Sequence, residues 1–472
     1  MCTLRGQLWA LYVLLWAFAS STTAVTLRQV DTAAHPSAEP LLSHGRRIPK
    51  PYRNGGRRLH QSQAQQEAAE YCTTGNFTAL YGAIERDLQP WRKTGITADL
   101  MDWVLRGVSK APLRDKGVGI VFKGGKPFII TNTAAFETVA HHKRLIIAHL
   151  ALFAALSATF GPTIPDVEFL VATADEPSSL LHRYGNGSNP LRLPPVLRFC
   201  KSNSYADILV PDVHFFMRNF TSRLLSVASN FSNTWPWSAK KQDLFGRFSP
   251  YKRAANMHAP ELYRRGKGGK DICTVADPNL WFCDVRKHFI WEWARAAKRS
   301  GLPVDVAQQP KRDMLHHASH KWLLHLDGQS CSSRLEQLLV LGSCVLKEES
   351  GYYAFFHHLI QPYQHYVPFW KERPEEAETA MQWLASHDDQ AQRMAAAAQQ
   401  VATTFLHKRA LMCYWLKLLQ ELASLQRFTP GPEGPEGVQR RYDFWTSVEE
   451  YMEGEGGREL ARHKLENMEF WD

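Results

Sequence analysis

The stretch LLHLDGQSCSSRLEQLLVLGSCVLKEESGYYAFFHHLIQPYQHYVPFW, residues 323–370, decides the fold of this 472-residue chain. Its apolar runs are separated by Gly, Pro and polar residues, which is typical of short strands and helices joined by tight loops. The predicted elements are, in order, a strand (322–326), a loop (327–331), a helix (332–341), a strand (344–347), a helix (352–359) and a strand (366–368). Such alternation indicates a parallel sheet, so we expect an α/β fold.

The sequence upstream predicts a second α/β block. A hairpin is expected over 118–131, followed by a helix over 145–160 and an apolar strand over 167–172. Asp175 comes just after this strand, and Pro177 then stops regular structure. In open α/β sheets, ligands bind beyond the carboxyl ends of the strands. Asp175 is therefore a candidate functional residue.

The N-terminus is predicted to be a targeting segment. The apolar run Leu8–Ala19 is too short to span a bilayer comfortably, so residues 1–24 are interpreted as a cleaved signal peptide, with a signal anchor as the alternative. Residues 25–66 are predicted to be a disordered basic stem, which holds half of the net charge of +10. The rest of the chain is only mildly basic, and we expect no nucleic-acid partner.

Several features fit the oxidising lumen of the secretory pathway. Seven cysteines follow the signal, so disulfides are allowed and at least one thiol has no partner within the chain. Four Asn-x-Ser/Thr sequons are candidate N-glycosylation sites, at Asn76, Asn186, Asn219 and Asn230. We expect no membrane span beyond the signal, because the apolar segment 145–160 is short, contains His149 and is predicted to be a buried helix.

The loop and helix around Gly328 have the properties of a phosphate site. A helix N-terminus offers unpaired N–H groups and the positive end of a dipole. Gly328 allows a close backbone approach, Ser332 can cap or donate, and Arg334 can place two donors on phosphate oxygens. Taken alone, the pattern fits a capped helix with a solvated arginine equally well.

Residues 323–370 resemble the donor-binding region of glycosyltransferase family 90, which includes protein O-glucosyltransferases and capsule-associated xylosyltransferases. The matching residues follow one another in the family's order: Asp327, Gly328, Ser332, Arg334, Leu338, Leu339, Gly342, Leu346, Lys347, Gln361, Pro362, Tyr363, His365, Tyr366 and Pro368. Further matches are 165–175, 201–211 and 413–415. At 244–249 the sequence departs from the family's Phe-Arg-Gly-Ser-Arg, because the Arg and Gly are transposed and the second Arg is missing.

The resemblance implies two Rossmann-like domains facing a cleft, an arrangement called GT-B. The order of the predicted elements gives the expected limits: an acceptor-side domain over 67–225, a donor-binding domain over 226–395, and a C-terminal helical segment over 396–472 that packs back on the first domain. It also implies a disulfide between Cys72 and Cys413. The pairing of the other five cysteines stays open, with Cys273 and Cys283 as the local candidates.

The implied reaction is an inverting transfer of glucose or xylose from a UDP-sugar to a hydroxyl of a protein or glycan. Asp175 would be the base, and the donor would be bound by Gly328, Ser332, Arg334, Arg247 and Lys347. The expected location of the protein is the lumen of the endoplasmic reticulum or Golgi, or outside the cell after secretion. A catalytically silent relative that binds glycan or nucleotide sugar is the alternative.

No cofactor or metal is expected beside the UDP-sugar donor. The Asp-x-Asp signature of metal-dependent sugar transferases is absent from the sequence. His316 and His320 have the i, i+4 spacing of zinc ligands, but the Glu of a His-Glu-x-x-His motif is missing. The glycine-rich run 264–270 lacks the Gly-Lys-Ser/Thr ending of a P-loop and is interpreted as a basic surface loop.

Overall fold

The computed structural model describes residues 55–110, 116–134, 136, 140–184, 192–432, 442 and 444–462. The predicted signal peptide, most of the predicted stem and Asn186 lie outside these residues. The described part of the chain belongs to one compact unit. The domain limits at 225 and 395 stay predictions.

The helices lie around two main sheets. They are α1 (Gly55–Thr74), α2 (Thr78–Arg92), α3 (Ala98–Lys110), α4 (Ala140–Phe160), α5 (Leu181–Tyr184), α6 (Val213–Met217), α7 (Ser222–Val227), α8 (Phe231–Thr234), α9 (Val285–His288), α10 (Ala294–Arg299), α11 (Met314–His317), α12 (Leu335–Leu338), α13 (Glu376–Ser386), α14 (Asp388–Phe405), α15 (Lys408–Leu425), α16 (Val448–Glu453) and α17 (Glu455–Arg462).

Helix α1 corrects the predicted end of the stem. The polar composition of residues 55–66 predicts a disordered segment, but these residues form the first turns of α1. Gln65 is buried and its side-chain amide donates to the carbonyl of Ala158 in α4. Contacts with the core therefore stabilise this helix. The low apolar content of residues 55–66 does not by itself predict a helix.

The strands form three sheets. They are β1 (Gly117–Lys123), β2 (Lys126–Ile129), β3 (Val167–Ala172), β4 (Val196–Arg198), β5 (Ile208–Leu209), β6 (Lys241–Arg247), β7 (Arg253–Asn256), β8 (Cys273–Asp277), β9 (Leu280–Cys283), β10 (Val304–Ala307), β11 (His320–His325), β12 (Cys344–Glu348), β13 (Tyr366–Phe369) and β14 (Thr446–Ser447).

The first sheet is mixed and has the order β14-β2-β1-β3-β4-β5. The predicted hairpin is present: β1 and β2 are antiparallel, and Gly124 and Gly125 between them have φ of 54° and 75°. Two successive positive φ values suit the two-residue turns that match strand twist. Strand β3 pairs parallel with β4, and β4 with β5, so their carboxyl ends share one edge.

The second sheet has the order β10-β6-β11-β12-β13, and all its pairs are parallel. Every residue of β11 and β12 is buried, as expected of strands covered on both faces. The parallel sheet predicted from residues 323–370 is thus present. A small antiparallel sheet, β7-β9-β8, accompanies it.

Two helices predicted in the 323–370 stretch are shorter than expected. The first begins at Leu335 instead of Ser332, because the backbone N–H of Ser332 donates to the Asp327 carboxylate at 2.8 Å. The second is reduced to a 3-10 turn, His357–Leu359. Its first residues cannot be helical because Tyr353 exchanges both backbone hydrogen bonds with Lys201.

Helix α15 packs against the first sheet, although it follows the second in the chain. Its Tyr414 hydroxyl donates to the carbonyl of Leu209 at 2.9 Å, and its Trp415 ring meets Phe153 edge-on. A disulfide joins Cys413 of α15 to Cys72 of α1. The structure thus contains the disulfide that the family resemblance implied.

Among the residues that the structure describes, one helical segment, His142–Thr163, is long and apolar enough to cross a membrane. More than half of its apolar window, 56%, is buried inside the protein. Ile147, Leu150 and Phe153 lie in the main hydrophobic core. This segment packs as the core helix that the sequence predicted.

Candidate active site

A cavity of about 450 Å³ is lined by loops from both main sheets. Asp175, Phe199 and Asp212 come from loops that follow β3, β4 and β5, whereas Ser249 and residues 328–334 follow β6 and β11. These are carboxyl ends of parallel strands, which is the edge where α/β sheets bind ligands. The cavity is the candidate active site.

Asp175 lines this cavity on the side of the first sheet, as its position after β3 led us to expect. Burial, together with the nearby charges of Glu176 and Asp212, raises the pKa of Asp175 to about 6. A carboxylate with such a pKa is a stronger base than an ordinary aspartate and is still ionised at neutral pH.

Glu176, the neighbouring carboxylate, is oriented differently. Its side chain accepts a hydrogen bond from the Gln329 amide, and it is not among the residues that line the cavity. Of these two adjacent acids, Asp175 is the one that faces the cavity.

Residues 327–334, here called the β11 loop, form the facing wall. Asp327 is buried and organises this loop, because its carboxylate accepts from the Ser332 N–H and from the Ser350 hydroxyl. Gly328 and Ser332 then lie at the cavity surface. The N–H of Gly328 donates to the carbonyl of Ser330 within the loop.

Two arginines reach the cavity from the side of the second sheet. Arg334 lies over the Phe248 ring at 5.3 Å and donates to the carbonyl of Arg247. Arg286 is buried and donates to the carbonyls of Ser249, Leu326 and Asp327. Burial and the nearby Arg334 lower the pKa of Arg286 to about 10, so the Arg286 guanidinium remains a cation at neutral pH.

Arg247 is not brought to the cavity, contrary to its predicted role in donor binding. Its guanidinium pairs with the Asp305 carboxylate of β10 at 2.8 Å and also donates to the carbonyl of Pro310. Because β6 lies beside β10, the side chain at this position reaches the neighbouring strand. Only the Arg247 backbone approaches the site, through the carbonyl that Arg334 contacts.

Lys347 is likewise absent from the residues that line the cavity. It is buried, with its ammonium group 5.2 Å from the centre of the Tyr366 ring and 3.6 Å from a Glu349 carboxylate oxygen. The Lys347 side chain thus lies against Tyr366 of the neighbouring strand β13. The predicted role of Lys347 in donor binding stays a prediction.

Asp212 and His214 belong to the site although the sequence did not single them out. Both line the cavity, and Asp212 Oδ1 lies 2.7 Å from His214 Nδ1. Burial acts to raise the pKa of Asp212, but the charge and hydrogen bonds of His214 outweigh it and hold that pKa below its ordinary value. The sequence feature that could have identified Asp212 is local: it follows Pro211 and caps helix α6.

A second disulfide, Cys200–Cys331, reaches the cavity through Cys331. The third joins Cys273 to Cys283 across strands β8 and β9, which confirms the local pairing. Cys344 is the free cysteine of the described residues and is buried in β12. Sequence spacing gave no basis for the Cys200–Cys331 pair, because its two members lie in loops that follow strands of separate sheets.

The described residues contain no group of three or more His, Cys, Asp or Glu side chains that could hold a metal ion. His316 and His320 instead pack around the Phe245 ring, with His320 stacked on it at 4.0 Å. Among the sequons, Asn76, Asn219 and Asn230 are exposed.

Comparisons with known proteins match most of the chain. The profile described as Glycosyl transferase family 90 covers residues 72–441. Protein O-glucosyltransferase 2 of Danio rerio is 29% identical over 281 residues, which are 58% of this chain and 51% of that protein. Protein O-glucosyltransferase 3 of Homo sapiens is 26% identical over 282 residues, 58% of this chain and 50% of its own length.

A third relative aligns over a longer region. Protein O-glucosyltransferase 1 of Mus musculus is 22% identical over 409 residues, 83% of this chain and 89% of that protein. The chain therefore spans about half the length of the first two relatives and most of the third. Because the family profile matches well over half of its residues, this chain belongs to glycosyltransferase family 90.

Proposed function

We propose that this protein transfers glucose from UDP-glucose to a hydroxyl group of a protein acceptor, with inversion at the anomeric carbon. The relatives are named protein O-glucosyltransferases, which favours glucose and a protein acceptor. Xylose and a glycan acceptor are the alternatives, because xylose lacks only the hydroxymethyl group of glucose. In this proposal the fold is of the GT-B type, with the first sheet on the acceptor side and the second binding the donor.

One observation carries the proposal: a carboxylate of raised pKa lines the same cavity as the guanidinium-bearing residues Arg286 and Arg334. Asp175 comes from the first sheet, and Arg286 and Arg334 come from the second. An inverting transfer needs a base on the acceptor side and positive charge beside the leaving diphosphate. The cavity supplies both.

The reaction then follows from these positions. Asp175 accepts the proton of the acceptor hydroxyl as its oxygen bonds to the anomeric carbon of the sugar. The bond from that carbon to the diphosphate breaks, and its electron pair leaves with UDP. Arg334 stabilises the charge that develops on UDP, and Gly328 and Ser332 lie beside it at the cavity surface.

No metal cofactor is part of this proposal. A diphosphate carries at least two negative charges, and Arg286 and Arg334 provide two positive charges at the cavity. Transfer measured in the presence of EDTA tests this point directly. A rate that falls with EDTA and recovers with a divalent cation would contradict it.

A lumenal location supports a protein or glycan acceptor of the secretory pathway. The three disulfides are bonds that persist in oxidising compartments. The endoplasmic reticulum, the Golgi and the medium all meet this condition. Immunofluorescence of the tagged chain, together with a blot of the medium, distinguishes them.

A silent family member is the second candidate, favoured by one observation. Arg247, at the altered 244–249 segment, is bound to Asp305 and not available to a diphosphate. The full chain should be incubated with UDP-glucose or UDP-xylose and a panel of folded protein and oligosaccharide acceptors, with UDP release and product anomer measured. UDP binding by the protein without release of UDP from the donor would support a silent binder of nucleotide sugar. Neither binding nor release would reject the transferase and that binder, and would leave a silent member that binds glycan alone.

A further inference from the structure

We infer that Asp212 and His214 form a second proton-accepting pair in the cavity, which takes over the proton that Asp175 removes from the acceptor hydroxyl. The inference rests on the proposed transfer reaction and adds a step to it. In this view Asp175 is the first base and His214 is the second. Asp212 positions the His214 ring and stabilises its protonated form.

The first turn of helix α6 sets the geometry of the Asp212–His214 pair. Asp212 is the N-cap of α6, and its Oδ1 accepts from the backbone N–H of His214 at 3.0 Å. The same oxygen lies 2.7 Å from Nδ1 of the His214 ring. One carboxylate thus fixes both the backbone and the ring of His214, which removes much of the rotational freedom of the imidazole.

This contact determines which ring nitrogen can accept a proton. When Nδ1–H donates to Asp212, the lone pair of the neutral imidazole is on Nε2. A proton taken up at Nε2 makes the ring cationic, and the adjacent carboxylate stabilises that cation. The His214 side chain is 27% exposed and Asp212 only 12%, so the ring is the member of the pair that the cavity can reach.

The pair is close enough to Asp175 to affect its ionisation. Asp212 acts to raise the pKa of Asp175, and His214 acts to lower it. All three residues, with Phe199, line both the main cavity and a smaller recess of about 30 Å³. Asp175, Asp212 and His214 therefore form one cluster on the acceptor side.

The proton balance is complete within the proposed reaction. The O–H bond of the acceptor breaks as its oxygen bonds to the sugar, and the proton goes to the Asp175 carboxylate. It then passes to Nε2 of His214, directly or through one water, and from the imidazolium to solvent. Asp175 is left ionised for the next turnover, and neither an oxidant nor another reactant is needed.

A second histidine in the cavity provides a matched comparison. Nδ1 of His142 lies 3.1 Å from the carbonyl oxygen of Thr173. That oxygen orients the ring but has no formal charge to stabilise an imidazolium, whereas Asp212 does both for His214. We therefore assign the second proton to His214.

The test compares His214→Gln, Asp212→Asn, the double variant and His142→Gln in the full-length protein, with UDP-glucose and an active acceptor. His214→Gln should lower kcat roughly 10–100-fold and leave KM for UDP-glucose within about twofold. Asp212→Asn should lower kcat by a smaller factor, and the double variant no more than His214→Gln alone, because the two residues act as a unit. His142→Gln should retain more transfer than His214→Gln.

A rescue experiment separates a proton carrier from a packing role. Free imidazole should restore part of the kcat of His214→Ala, because the truncation leaves room beside the cavity for an exogenous base. A kcat of His214→Gln equal to that of the parent would overturn the inference. So would a loss that imidazole does not relieve and that parallels a lower melting temperature, or an equal loss in His142→Gln. A parent protein that neither binds UDP nor consumes UDP-glucose would instead reject the proposed function on which the inference rests.

Discussion

The disulfide between Cys200 and Cys331 connects the end of β4 in the first sheet to the β11 loop of the second. The N–H of Cys331 also donates to the Cys200 sulfur at 3.0 Å. The loop that presents Gly328 and Ser332 is thereby attached to the wall that carries Asp175. Because a pre-ordered loop loses less entropy when it binds a ligand, this bond should strengthen donor binding.

Replacing both cysteines, Cys200→Ser with Cys331→Ser, should therefore weaken UDP binding by roughly 3–10-fold, the cost of ordering one or two side chains. Isothermal titration with UDP measures this change. The matched control is Cys273→Ser with Cys283→Ser, since that disulfide does not line the cavity. Equal UDP affinity in the two double variants would contradict the role given to Cys331.

Asp175→Asn should lower transfer by about 10²–10⁴-fold while the fold and UDP affinity change little, because the amide cannot accept a proton. Glu176→Gln is the adjacent control and should retain transfer at neutral pH, since Glu176 contacts Gln329 and does not line the cavity. Rates, melting temperatures and UDP affinity should be measured side by side. Loss of transfer in the Glu176 variant alone would move the base by one residue.

The pH dependence of kcat/KM should have an acidic limb near pH 6. The pKa of Asp175 is raised to about 6, so the carboxyl is increasingly protonated below that pH and the rate should fall about tenfold per pH unit. Glu176→Gln removes one of the charges that raise this pKa, and its limb should lie at lower pH. If the acidic limb of Glu176→Gln lies at the same pH as that of the parent protein, a group other than Asp175 is titrating.

Arg334→Lys should weaken UDP binding by roughly tenfold and slow transfer, because an ammonium group cannot place two donors on the diphosphate. Arg247→Lys is the control, since its guanidinium is bound to Asp305 and lies outside the cavity lining. Arg247→Lys should lower the stability of the protein and change its affinity for UDP little. The opposite order of UDP affinities would restore the donor-binding role that the sequence predicted for Arg247.

Removal of the Cys72–Cys413 disulfide should destabilise the protein without a direct effect on the cavity. The bond joins residues 341 positions apart, and the chain-entropy estimate for so long a loop is on the order of 4–5 kcal/mol. Urea unfolding of Cys72→Ser with Cys413→Ser measures the difference. An unchanged midpoint would mean that contacts between α1 and α15 already supply the constraint.

Local features of the sequence were sufficient to predict the parts of the fold that depend on neighbouring residues. Gly124 and Gly125 predicted the hairpin turn, and the apolar run of β11 predicted a buried parallel strand. The place of Asp175 beyond β3 followed from strand direction alone.

The remainder depends on contacts between distant residues. Whether Arg247 faces a ligand or β10 is decided by which strand lies beside β6. Arg286 reaches the cavity from helix α9, and its three carbonyl partners lie on two other loops. The pairing of Cys200 with Cys331 likewise requires the two sheets to be in place.

The C-terminal strand β14 has a consequence for solubility. It pairs with β2, and the Trp445 ring stacks on Phe128, while the family profile ends at residue 441. A chain cut at that point would leave the N–H and C=O groups of β2 unpaired along a sheet margin, the kind of surface that recruits strands from other molecules. Strand β14 thus protects the edge of β2 from self-association. A protein that ends at residue 441 should form oligomers or aggregates that the full chain does not.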